Sequence, residues 1–269
     1  MPRCLALVAL LAAIVPGAPS AARDAGADGR FDERESRHFL LREDVAIDQH
    51  TGPHGSNQFE RDVLRTLEVG YAALDDALGL RPPRRIEVEI YDPAIFDAQF
   101  AALLPFPAAG FYGGTIRVRG DVAVTPRLES TLHHELLHAA LDAAAPSLAV
   151  PAWLNEGLAE WFAARVDGRP AFGRAHRAML QRAAAQGALL PIDAISQPTL
   201  TRLAPADAPV AYLEATALVD EIDRRGGERA LRTLLEHYLR TGDLDRALER
   251  AIRLDVRGLE AATAASLGL

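Results

Sequence analysis

A chain of 269 residues is long enough for one large domain or two lobes sharing a cleft. With 49% apolar and 25% charged residues it has the balance of a soluble globular protein. A formal net charge of −8 excludes general attraction to nucleic acid or an anionic membrane, and no run of Lys or Arg restores it locally.

The chain opens MPRCLALVALLAAIVPGAPSAARDAG. One early positive charge, Arg3, precedes an apolar run from Cys4 to Val15; Pro16 and Gly17 break the run and small residues follow. This is the layout of a secretory signal peptide, with cleavage expected after Ser20 or Ala22. The run falls short of the roughly 20 residues that span a bilayer. The expectation is therefore a signal peptide over residues 1–22, export to the periplasm or outside a bacterial cell, and no stable membrane insertion afterwards. Cys4 is the sole cysteine and would leave with that segment, so no disulfide or thiol nucleophile remains.

Residues 23–35 are polar and rich in Gly and Asp, and read as a flexible leader. SRHFLLRE looks extended, and a loop through QHTGPHGSN follows it. From Phe59 the apolar spacing turns helical, through Val63, Leu64, Leu67, Val69, Tyr71, Leu74 and Leu78, and Gly79 stops it. RRIEVEIYD alternates as a half-buried strand. A short helix is expected after Asp92-Pro93, then a loop LLPFPAAGFYGG, then a second alternating strand in TIRVRGDVAV.

Beyond Pro126 the pattern is helical: Leu128–Ala145, Trp153–Val166, Gly173–Gln186, Pro209–Arg225, Glu228–Arg240 and Leu244–Arg253. The predicted class is α+β. A small mixed α/β lobe with a β-sheet (36–126) precedes a mainly helical lobe (127–269), with the functional site in the cleft between. The last 25 residues and the oligomeric state are not legible.

HHELLH, from His133 to His138, begins at that junction. Within it, H-E-x-x-H on a helix puts His134 and His138 on one face, one turn apart. Two imidazoles at that spacing can bind one Zn²⁺, with Glu135 placed as general base toward a water on the ion. Burying two histidines and a glutamate among Leu and Ala without a partner would be costly. His133 points about 100° away on the wheel and is left out of the metal shell. His38, His50, His54 and His176 are read as surface or core histidines. A third ligand is needed, and PAWLNEGLAEWFA carries Glu156 and Glu160 one turn apart within an aromatic helix.

HELLH followed by WLNEG resembles the gluzincin zinc metallopeptidases, and PAWLNEGLAEWF is similar to the bacterial peptidase MA-like domain family. The likeness extends from about Ser36 to Tyr238, and the two motifs are its sharp parts. It implies a single zinc held by His134, His138 and Glu156, with Glu135 as the base. It further implies that Glu160 supports the first histidine and that the backbone of Asn155 supports the second. In such enzymes a Tyr or His of the helical lobe stabilises the oxyanion; here Tyr212 is the first candidate, with His237 and Tyr238 as alternatives. An edge strand before the motif helix, TIRVRGDV, would pair with a peptide or protein substrate, and the glycines of GFYGG would allow close approach.

The implied activity is hydrolysis of peptide bonds. No GAMEN-like segment is present, so aminopeptidase specificity does not carry over. A zinc-containing binding or scaffold protein of the same fold, without turnover, is the alternative, although the intact Glu135 favours the enzyme. A purely structural zinc would be expected to have four protein ligands and cysteines.

Overall fold

The computed structural model describes residues 31–45, 55–100 and 108–269. The expected signal segment, His50 and His54 lie outside them. Among the described residues the fold is α+β, a five-stranded sheet followed by a helical region.

The strands are β1 (Asp32–Glu35), β2 (Phe39–Asp44), β3 (Ile86–Tyr91), β4 (Gly110–Tyr112) and β5 (Ile116–Arg119), in the order β1-β2-β3-β5-β4. The inner pairs β2/β3 and β3/β5 are parallel, and the outer pairs are antiparallel. Register sets Phe39 beside Ile86, Leu41 beside Val88 and Ile90 beside Val118, so one face is apolar. Helix α1 (Gly55–Leu78) and helix α3 (Pro126–Ala144) pack on one another and on the sheet. The opposite face carries charge: Arg42 pairs with Glu33 and Glu87, and Arg117 with Glu89. A short α2 (Pro93–Phe100) contacts β5.

Two expectations are corrected. Asp32–Glu35, assigned to the leader, form β1, which register with β2 and the pairing of Arg34 with Glu60 hold in place. GFY, assigned to a loop, forms β4. Because β4 pairs outside β5, TIRVRGDV is an interior strand and not the edge.

In the helical region α4 (Ala152–Val166) packs between α3 and the long α7 (Ala208–Thr241). Gly227, at φ 63°, breaks α7 into the two helical stretches expected there. Helices α5 (Arg174–Ala185) and α8 (Leu244–Ile252) also pack on α7, as does α9 (Val256–Leu267), which the sequence pattern did not announce; a single turn, α6 (Ile192–Ile195), lies between α5 and α7 in the chain. Contact between α4 and α7 is close because Gly157 has no side chain; a Cβ there would stand 2.3 Å from the Ala215 carbonyl oxygen. A mid-helix glycine costs about 1 kcal/mol against alanine, so this approach gives it a reason.

Candidate metal centre

Helix α3 is started by Thr125, whose hydroxyl accepts from the Leu128 amide at 3.3 Å, with Pro126 in the first turn. Leu128 and all of Ser130–Leu141 are buried, so the helix is enclosed by protein on every side. Its polar side chains must find partners inside the protein.

His134 and His138 lie one turn apart with ring centroids 4.9 Å from each other. From α4, Glu156 Oε2 comes within 3.5 Å of His134 Nε2 and 3.6 Å of His138 Nε2. Two ligands of a tetrahedral zinc at about 2.0–2.2 Å stand roughly 3.3–3.6 Å apart, so the spacing suits a shared ion. All three side chains are buried, and neither these nitrogens nor Glu156 Oε2 makes a hydrogen bond. Orphaned buried polar atoms each cost about 1–3 kcal/mol, and two imidazole nitrogens plus a carboxylate oxygen are a donor set that zinc accepts. The residues present therefore fit the ion.

Outer contacts orient the histidines. His138 Nδ1 lies 2.9 Å from Asn155 Oδ1. The contact thus runs through the Asn155 side chain, where the family resemblance implied its backbone. His134 Nδ1 is 3.4 Å from Glu160 Oε1, an ion-pair distance without hydrogen-bond alignment, and Glu160 is partly exposed.

Glu135 is buried and neither carboxylate oxygen has a hydrogen-bond partner. Burial is the chief reason its pKa rises to about 7; the two histidines oppose the rise, and Glu156 and Glu160 add to it. On the sheet side Glu135 meets β4: a Cβ on Gly110 would stand 3.3 Å from its Oε1 and 2.9 Å from Thr131 Cγ2. The glycine of GFY thus permits the strand to approach the base. Burial would lower His134, but Glu156 and Glu160 outweigh it and hold the ring near 10 without an ion. Burial raises Glu156, yet His138 and His134 bring it below its usual value.

Tyr212 is buried on α7, and its hydroxyl is pushed well up by burial and then by Glu156, Glu135 and Glu160. The hydroxyl thus feels the charges of all three glutamates. The alternatives have other partners. Tyr238 donates to the Ala149 carbonyl at 3.4 Å, and His237 Nδ1 lies 3.2 Å from the Arg240 guanidinium.

The remaining described histidines have protein partners. His133 Nδ1 lies 3.2 Å from Asp167 Oδ1 and its Nε2 3.2 Å from the Thr66 carbonyl oxygen. His38 stacks on Tyr71 and pairs with Glu68, and His176 Nδ1 accepts from the Gly173 amide.

No protein-family model matches the chain, and a search of curated proteins gives no match. Among solved structures, a mutant M1 zinc metallopeptidase from Deinococcus radiodurans is similar at 18% identity and a TM-score of 0.46, over 88% of this chain and 51% of that one. A mutant M1 zinc metallopeptidase from the same organism bound to a Tyr-Ser-Ala substrate aligns at 17% identity and a TM-score of 0.48, over 89% and 52%. The chain spans about half the length of these proteins.

Proposed function

We propose that the chain is an exported, single-zinc metallopeptidase of gluzincin type, related to the peptidase MA-like family. The observation that carries the reading is the convergence of His134 Nε2, His138 Nε2 and Glu156 Oε2, buried and without hydrogen-bond partners, beside an equally orphaned Glu135 carboxylate. His134, His138 and Glu156 would hold the ion, which would supply Lewis acidity at the site.

The chain's own residues do the rest. Glu135, buried and one residue from His134, accepts a proton from the attacking water and returns it to the leaving amine. The hydroxyl of Tyr212, kept protonated, donates to the developing oxyanion. Asn155 and Glu160 fix the imidazole orientations. Strand β4, outermost in the sheet and adjacent to Glu135, takes the part of the substrate-pairing edge.

The test is hydrolysis of an unbiased peptide library by the wild type and Glu135→Gln, each assayed for zinc. Cleavage by the wild type, reduced about 10²- to 10⁴-fold in a variant that keeps its zinc, is the expected result. Zinc in both with cleavage in neither would support a silent binding protein instead.

A further inference from the structure

A cavity of about 420 Å³ lies among α5, α7, α9 and the segment 189–195. Its volume is within the roughly 300–1,000 Å³ range of small-molecule sites. Leu180, Ile192, Ile195, Leu218 and Leu267 make much of its wall. Two carboxylates interrupt that wall, Glu214 of α7 and Glu260 of α9.

The cavity is separate from the metal centre. Ala215 and Val219 face Gly157 of α4, whereas Glu214, Ala217 and Leu218 line the cavity. Glu214 receives the Leu190 amide, at 3.1 Å and 3.3 Å to its two oxygens. Glu260 receives the Ile192 amide at 3.0 Å and meets Arg257 at 3.2 Å. No cation pairs with Glu214 among the described residues. Burial pushes Glu214 up to about 7, with the Leu190 amide opposing the rise and Glu260 adding to it. A carboxylate in that setting gains from an opposite charge brought into the cavity.

We infer that this cavity is a binding site for an organic monocation with an apolar body, such as an alkylammonium, its ammonium beside Glu214 and Glu260 and its hydrocarbon against the leucines and isoleucines. The lining favours an organic cation over a metal. Two carboxylates supply too few oxygens for Ca²⁺ or Mg²⁺, and the other walls are largely hydrocarbon. The inference does not depend on the metal centre and would survive loss of the peptidase reading.

Decylamine, decanol and decanoate share one chain length and differ in the head group. Calorimetric titration of the full chain with each separates a charge-selective site from a merely greasy one. The amine should bind at least about 10-fold more tightly than the alcohol, and decanoate more weakly than either. Glu214→Gln keeps an acceptor for the Leu190 amide but removes the charge, and should erase the amine's advantage while leaving decanol binding unchanged. Equal binding of amine and alcohol to the wild type, or an amine preference that persists in Glu214→Gln, would overturn the inference. So would tighter binding of decanoate, which would mark an anion or fatty-acid site.

Discussion

His133 and His134 are consecutive, equally buried residues of one helix, yet they sit in opposite chemical situations. His133 points at the joint of α1, α3 and the end of α4, where Asp167 and the Thr66 carbonyl take up both its nitrogens. His134 points at Glu156 and His138, where the inward atoms face one another with no hydrogen bond among them. A buried polar group that is satisfied ties elements together; a cluster left unsatisfied is paid for by something the chain does not itself supply. The contrast separates a structural histidine from a proposed ligand within one residue of sequence.

Tyr212→Phe tests the metal side most severely after loss of the base. It removes the hydroxyl but keeps the ring, and should lower kcat by about 10²- to 10³-fold with little change in zinc content. A fall in KM-linked affinity alone would place the hydroxyl on substrate binding.

On the structural side, His133→Leu removes the contacts to the Thr66 carbonyl and to Asp167, which keeps Arg169 and Ser130 beside it. Denaturant unfolding should show a loss of about 1–3 kcal/mol, while zinc per folded molecule stays at the wild-type value. Loss of zinc in a folded variant would erase the distinction between the two histidines.

Asn155→Ala should weaken zinc binding about 10- to 100-fold, read by competition with a chelating indicator, because His138 loses the contact that orients it.

The smallest effect is in pH. Without an ion, Glu135 titrates near 7 in the fold against 4.5 ordinarily, so its ionisation is penalised and stability falls as pH rises between those values. His134, held near 10 against 6.5, contributes stability that is present below 6.5 and lost toward 10. Glu156, held below its usual value, acts in the opposite sense but on the acid side of this range. Zinc binding needs deprotonated ligands and strengthens as pH rises. The gap in Tm between zinc-loaded and chelator-treated protein should therefore widen from about pH 5.5 to about pH 8.5 in parallel thermal scans.

Much of this was legible in the chain. Ile86, Val88 and Ile90 alternate cleanly, and the motif helix and the Asn155-Glu156 helix carry the proposed ligands at fixed spacing, so local periodicity sufficed. Other features are products of tertiary pairing. The residues of β1 are all charged and become a strand through register with β2. β4 has three residues, too few for alternation to register, and its place outside β5 depends on pairing that no local pattern encodes. The small residues of α9 give it a weak stripe. The partners of His133 lie 34 and 67 residues away, which hid its structural role.

The most direct measurement of the central claim is zinc per chain, by elemental analysis, in protein prepared without chelators and dialysed against trace zinc. One zinc in the wild type and far less in folded His138→Ala and Glu156→Gln is the predicted result. A folded wild type that takes up no zinc, or variants that retain the full complement, would contradict it.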